Sequence, residues 1–153
     1  MDTFKQILIS SHSGWRWIVL ILLLAAVVKM HMGWKGKKTF VAGDRKLALF
    51  AMMAFHLQYL FGWILYLMSD YVQFSSETMS TSILRFFTLE HSLMMTIAFI
   101  LITMGYSKSK KKDNDTARFK VVAVFYTIAL VVVLAGIPWP FREMFANVGI
   151  GWF

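Results

Sequence analysis

Hydrophobic residues fall into four long runs that are separated by short polar segments. The runs lie near residues 13–34, 46–68, 84–106 and 119–139. A helix needs about 20 apolar residues to cross the hydrocarbon core of a bilayer, and each run has roughly that length. The backbone polar groups of a membrane-spanning segment must be satisfied internally, which a helix achieves. The pattern predicts an all-α, integral membrane, up-down-up-down four-helix bundle that forms a single transmembrane domain over residues 1–153.

The ends of the runs carry their own signals. Residues 1–11 place apolar side chains at helical spacing, so this segment either lies at the membrane interface or extends the first helix. Gly43-Asp44 is typical of a turn into the second span. Pro138 and Pro140 are expected to stop the fourth span, with Trp139 anchoring its outer end at the interface.

The composition supports a membrane class and excludes several kinds of chemistry. Hydrophobic residues make up 58% of the chain and charged residues 16%, below the share of about 25% typical of soluble domains. Cysteine is absent, which excludes disulfides, thiolate metal sites and covalent c-type haem attachment. The sequence contains no nucleotide-binding loop, nucleophile triad or HExxH motif, so hydrolase and ATPase functions have no support.

The net charge of +8 is concentrated in two loops. Residues 35–46 hold five bases and residues 108–120 hold six, whereas residues 69–82 hold two acids and no base. Basic loops stay on the cytoplasmic side of a membrane, so both termini are expected on the periplasmic side. The basic clusters are expected to lie against anionic lipid head groups. This distribution argues against a nucleic-acid partner.

Four histidines lie on or near three of the spans: His12, His31, His56 and His91. An ionisable side chain inside a membrane is expensive to keep and is a candidate functional residue. In an up-down-up-down bundle the first and third helices lie diagonally across the core. Histidines on these two helices can therefore reach a central cavity from opposite sides. That arrangement suits an iron held by two imidazoles, and imidazole also binds copper and zinc.

Counting residues from the basic ends of the helices places the four histidines at different depths. His12 is the outermost, followed by His91, His56 and His31. The spacing allows an outer pair of His12 with His91 or a mid-membrane pair of His56 with His91. It also allows a second, inner pair of His31 with His56. The depth count alone does not choose between these pairs.

Charged neighbours favour the outer pair. Arg16 is at position i+4 from His12 and shares its helix face. Arg85 lies near the same outer level, before His91. Arginine is a good planar partner for carboxylates, so both are candidates to bind haem propionates. The competing hypothesis is an ion pair between Arg16 and Glu90 that ties the first and third helices together.

Other polar and sulfur-containing side chains have an ordinary structural interpretation beside a functional one. His31 suits the head-group interface, and the other histidines can bond across helices. The methionines are potential thioether ligands or adaptable core filler: Met52, Met53, Met94, Met95 and Met104. Three further side chains are candidates either for a quinone head group or for cross-helix bonds: Gln58, Tyr59 and Tyr126.

Three motifs carry a resemblance to a known family. His12-Ser-Gly-Trp-Arg16-Trp opens the first span, His56-Leu-Gln58-Tyr-Leu-Phe-Gly62 lies in the second, and Arg85-Phe-Phe-Thr-Leu-Glu90-His91 leads into the third. The last span ends with Ile137-Pro-Trp-Pro-Phe. Together they resemble short four-span bacterial membrane proteins, found in Bacteroidetes and often labelled "cytochrome B". The resemblance implies a bacterial inner membrane and a haem b, with His12, His56 and His91 as candidate ligands beside Arg16 and Glu90. Unlike larger b-type cytochromes, the fourth span carries no histidine.

The leading hypothesis is therefore electron transfer through one haem b, with a quinone or another respiratory or membrane-complex subunit as partner. The protein is then a redox subunit rather than a stand-alone enzyme. The alternative is a non-haem protein: an accessory subunit whose histidines only bond across helices, or a copper-handling protein similar to the copper resistance protein D family.

Overall fold

The computed structural model describes residues 3–145, and this part of the chain contains four long helices and no strand. The helices are α1 (Thr3–Lys35), α2 (Ala42–Met68), α3 (Ser82–Ser109) and α4 (Asp115–Gly136), and each is long and apolar enough to cross a membrane. A short 3-10 helix follows at Glu143–Phe145. The prediction of an all-α four-helix bundle is confirmed.

The helix ends differ from the predicted spans for local reasons. Helix α1 begins at Thr3, ahead of the predicted span at residue 13, so of the two alternatives for the segment before His12 the structure shows the extension of the first helix. Helix α4 ends at Gly136 rather than residue 139. Ile137 adopts an extended conformation, with φ −70° and ψ 133°, as expected for the residue that precedes a proline.

The second helix also begins earlier than predicted, at Ala42. Gly43 and Asp44 therefore lie in its first turn, not in the loop before it. The Asp44 carboxylate accepts a hydrogen bond of 2.9 Å from the backbone N–H of Val41. An acidic side chain at this position satisfies a backbone donor at the helix start and complements the helix dipole.

Helix α3 contains one π-helical turn, Phe86–Glu90, between its first turn and the regular helix from His91 to Ser109. The backbone N–H of His91 donates to the carbonyl oxygen of Phe86, five residues earlier. Within this turn, the carbonyl oxygen of Thr88 accepts from the hydroxyls of Tyr66 at 2.9 Å and Ser92 at 3.1 Å. Single π turns occur frequently at functional sites.

The helices pack in the cyclic order α1–α2–α3–α4, so α1 and α3 are diagonal, as are α2 and α4. The core is closed at its centre by Tyr126, whose fully buried hydroxyl donates 2.8 Å to the carbonyl oxygen of Ala48. Small residues allow the backbones to approach, and the buried alanines include Ala26, Ala48, Ala51, Ala98, Ala123 and Ala129. Lys120 lies 5.5 Å above the Trp34 ring, which places the two basic loops at the same end of the bundle.

A ladder of side-chain hydrogen bonds joins α2 to α3. Its donors on α2 are His56, Tyr59 and Tyr66, and its acceptors on α3 are the hydroxyls of Thr103 and Thr96 and the carbonyl oxygen of Thr88. Both threonine hydroxyls donate to backbone carbonyls one turn earlier in α3, at 2.7 and 2.8 Å. Each hydroxyl has a single proton, so it accepts the bond from α2.

Candidate functional site

His91 lies directly after the π turn of α3 and faces α4. Its Nδ1 atom is 2.7 Å from the carbonyl oxygen of Gly136. A carbonyl oxygen only accepts, so Nδ1 carries the proton. In the neutral ring the lone pair is then on Nε2. A histidine that donates one N–H to a backbone carbonyl and directs the other nitrogen at a metal is the usual arrangement in metalloproteins.

His12 lies on α1 and packs against α2. A Cβ atom at Gly62 would lie only 3.2 Å from His12 Cε1, so the absence of a side chain at Gly62 makes room for the imidazole. The amide of Gln58 donates 2.9 Å to the backbone carbonyl oxygen of His12. The buried atoms His12 Nδ1 and Gln58 Oε1 have no hydrogen-bond partner within residues 3–145. A buried polar atom without a partner needs an explanation such as a ligand or an ordered water.

His12, Arg16 and His91 lie at the same level of the bundle. His12 is within range of electrostatic interaction with both Arg16 and His91, and His91 is within range of Arg16. The guanidinium group of Arg16 also lies 5.4 Å from the centre of the Trp17 ring. The two diagonal helices thus bring together the outer pair of histidines that the depth count allowed.

Arg85 and Glu90 form an ion pair with 2.8 Å between Nε and Oε1. They are five residues apart, a separation that the π turn brings onto one side of the helix. Arg85 also donates 3.0 Å to the carbonyl oxygen of Met79 in the second loop, which joins α2 to α3 over residues 69–81. The competing hypothesis of an ion pair between Arg16 and Glu90 is not supported, because Glu90 pairs with Arg85 within α3. Arg85 is also a candidate from the sequence to bind a haem propionate, and in the structure its guanidinium group is paired with the Glu90 carboxylate.

His56 has a well-defined structural role. Its Nε2 atom donates 2.9 Å to the Thr103 hydroxyl, and its ring lies 4.4 Å from the centre of the Phe99 ring. This is the cross-helix bond that the sequence left open as an alternative to metal ligation. His31 bonds within its own helix: its Nδ1 donates 2.9 Å to the carbonyl oxygen of Val27.

The three quinone candidates of the sequence also bond across helices. Gln58 reaches α1, Tyr59 reaches Thr96 on α3, and Tyr126 reaches Ala48 on α2. Among the methionines, Met53 is more than half exposed on the outer surface of the bundle. Met94 and Met95 pack against Gly136, where a Cβ atom would lie 3.1 Å from Met94 Cβ.

No group of three or more histidine, aspartate or glutamate side chains converges within residues 3–145, so this part of the chain holds no three-ligand metal site of that kind. A two-imidazole site fits the residues better. His12 offers a buried nitrogen without a partner, and His91 offers Nε2 with its tautomer fixed by Gly136. These donors match the axial ligands of a b-type haem.

Sequence reasoning missed the two glycines of this site. Gly62 seats the His12 ring and the Gly136 carbonyl orients His91. Each glycine lies on a different helix from the histidine that it contacts. The two residues of each pair are therefore brought together by tertiary packing and not by sequence spacing. The motif His56-Leu-Gln58-Tyr-Leu-Phe-Gly62 contains one of these two glycines, but the sequence indicated a candidate role for His56 and none for Gly62.

The structure is a bundle of four helices that are each long and apolar enough to cross a membrane, with a histidine pair on its diagonal helices. Comparison with protein-family models, curated protein sequences and solved structures found no match to the chain.

Proposed function

We propose that this protein is a b-type electron-transfer protein in which His12 and His91 hold one haem b between α1 and α3. The observation that carries the proposal is the bond from His91 Nδ1 to the Gly136 carbonyl oxygen, together with His12 at the same level. The resemblance to short bacterial proteins labelled "cytochrome B" supports the same function.

Haem b bound at this site would supply a one-electron redox centre, with a potential set by its axial ligands and its burial. The chain's own residues prepare the ligands. The Gly136 carbonyl fixes the tautomer of His91 and increases the basicity of its other nitrogen. Gly62 and the Gln58 amide hold His12 and its backbone in place. We propose a membrane quinone or a neighbouring respiratory subunit as the electron partner.

We infer that the protein lies in a bacterial inner membrane with both termini on the periplasmic side. The eleven bases of residues 35–46 and 108–120 lie at one end of the bundle, which supports this orientation. Alkaline phosphatase, which is active only in the periplasm, should be active when fused after Phe153. Activity of a cytoplasmic reporter at that position would reverse the orientation.

The decisive experiment is a reduced-minus-oxidised absorption spectrum of the full chain purified after growth with haem available. The expected result is a low-spin b-type spectrum with one haem per chain. A correctly folded but colourless protein would overturn the proposal.

A second candidate function is that of a non-haem accessory subunit. The hydrogen bond between His56 and Thr103 supports it, because it links α2 to α3 through a histidine side chain. Metal analysis of the same preparation separates the candidates. Iron in proportion to haem supports the cytochrome, copper without haem supports a copper-handling protein, and absence of both supports the accessory subunit.

A further inference from the structure

A groove of about 800 Å³ opens on the outer face of α1 at the basic end of the bundle. Its long wall is the exposed face of α1, where at least half of each large apolar side chain is accessible: Ile21, Leu24, Val28 and Met32. Its mouth is formed by Lys29, Lys38, Thr39 and Asp44. The groove thus combines an apolar length with a basic entrance.

The first loop, which joins α1 to α2 over residues 36–41, folds back on α1 and forms the entrance of the groove. The N–H of Lys38 donates 3.0 Å to the carbonyl oxygen of Gly33, and the N–H of Lys37 donates 3.3 Å to that of Trp34. This is a Schellman motif, in which the residue after the helix end takes a left-handed conformation. Lys37 does so with φ 47°. The reversal carries Lys38 and Thr39 alongside the last turns of α1.

The floor of the groove depends on a contact between α1 and α4. Gly33 lies against the ring of Phe119, where a Cβ atom on the glycine would overlap the ring carbons. The absence of a side chain lets the two helices close behind the groove. Phe119 is fully buried and is held from the loop side by an edge-to-face contact with Phe40 at 4.9 Å.

The entrance carries a net positive charge. Lys29 is 3.2 Å from the Asp44 carboxylate, and that carboxylate is buried and also holds the Val41 N–H. One acid therefore faces two lysines, and the ammonium of Lys29 keeps further donors for a second partner. Lys29 lies before the last turn of α1, which ends at Lys35, so its ammonium stands beside the apolar wall of the groove.

We propose that this groove binds one anionic phospholipid, with its phosphate at Lys29 and Lys38 and one acyl chain along the α1 wall. From Lys29 to Ile21 the helix rises about 12 Å, which accommodates a substantial length of an extended acyl chain. The volume is within the range of about 300–1,000 Å³ for ligand pockets. A second copy of the chain is a poorer occupant, because parallel association through this face brings two basic ends together.

The test uses the full chain in mild detergent with an equal mixture of phosphatidylglycerol and phosphatidylcholine that carry the same acyl chains. Native mass spectrometry then counts the lipid retained per chain. We expect one phosphatidylglycerol to be retained in preference to phosphatidylcholine. Lys38→Gln should lower that retention at least fivefold. Lys111→Gln makes the same charge change in the exposed third loop and should leave retention unchanged.

A second variant tests the acyl part of the site. Ala25 lies on the groove wall and is exposed, so Ala25→Phe fills the groove without disturbing the core and should displace the lipid. Ile97→Phe enlarges an exposed position on α3 and serves as its control. Equal retention of both lipids would overturn head-group recognition. Equal loss of phosphatidylglycerol in Lys38→Gln and Lys111→Gln would overturn a specific site, because the lipid would then respond only to the overall positive charge. A dimer abolished by Ala25→Phe would instead make the groove an interface between copies.

Discussion

His91 Nδ1 lies 2.7 Å from the carbonyl oxygen of Gly136, so one hydrogen bond joins α3 to α4 and fixes the tautomer of a histidine inside the bundle. The carbonyl oxygen is available because α4 ends at Gly136, where the last carbonyls of a helix have no partner within the helix. Pro138 ends α4 and therefore also leaves the Gly136 carbonyl oxygen free to accept the hydrogen bond from His91.

The ligand assignment predicts that His91→Ala abolishes the low-spin haem spectrum, because the bis-imidazole coordination loses one of its two ligands. His31→Ala is the matched control, since the His31 side chain bonds within its own helix, to the carbonyl oxygen of Val27. Absorption spectra, with size-exclusion chromatography to confirm folding, make the comparison. An unchanged spectrum in His91→Ala would remove the basis of the haem proposal.

The seat of His12 can be tested through its glycine. In Gly62→Ala the new Cβ lies 3.2 Å from His12 Cε1, so the imidazole must shift by a few tenths of an ångström. We expect weaker haem retention or a displaced spectrum in a protein that still folds. Gly14→Ala lies two residues from His12 and its Cβ meets nothing within 4 Å. That control should gain about 0.5–1 kcal/mol of stability and keep its haem. Equal spectra in both variants would mean that the position of His12 does not matter.

The bond from His56 to Thr103 predicts a structural effect only. His56→Ala removes one cross-helix hydrogen bond, while the Thr103 hydroxyl keeps its bond to the Phe99 carbonyl. Bonds of this kind in membrane proteins are worth about 0.6 kcal/mol, with a maximum near 1.7. Unfolding in mixed micelles should show a loss within that range, with the haem spectrum intact. Loss of the spectrum in His56→Ala and His91→Ala, but not in His12→Ala, would show that the mid-membrane pair is the ligand pair.

The hydrophobic pattern was sufficient to predict the fold, because four apolar runs joined by short polar loops leave few arrangements in a bilayer. The helix ends were predicted less well. Nothing in residues 3–12 signals a helix start strongly enough to place it at Thr3, and the effect of Pro138 on Ile137 moved the end of α4 inward.

The site was predicted only in outline. The depth count brought His12 near His91, but it is one-dimensional and carries no information on which way a side chain points. The role of His56 depends on Thr103, which lies 47 residues later. The Arg85–Glu90 ion pair depends on a π turn that no sequence signal indicated.

An ion pair between Lys5 and Asp70 ties the start of α1 to the second loop, with 2.6 Å between Nζ and Oδ2. The hydrogen bond and the charge of Lys5 lower the pKa of the Asp70 carboxyl. A lowered pKa in the folded state means that the tie is fully present above the ordinary aspartate value of about 3.9 and is lost as the pH falls through the lower folded value.

We therefore expect faster hydrogen exchange in the first turns of α1 below about pH 4, after correction for intrinsic rates. Asp70→Asn should show this faster exchange already at pH 6. Glu77→Gln, an exposed acid in the same loop, should behave as the wild type. The same exchange in Asp70→Asn and wild type at pH 6 would show that the pair does not hold α1.

At the end of α1, Lys37 adopts φ 47° at the position that usually carries glycine. A side chain in the left-handed region is disfavoured by roughly 1–2 kcal/mol, and Gly36 lies one position too early to relieve this. Lys37→Gly should therefore raise the free energy of unfolding in mixed micelles by about 1 kcal/mol. Lys37→Ala removes the same charge but keeps a Cβ atom, so it should give no such gain. Equal gains in both variants would attribute the effect to charge repulsion in the basic loop and not to the backbone conformation.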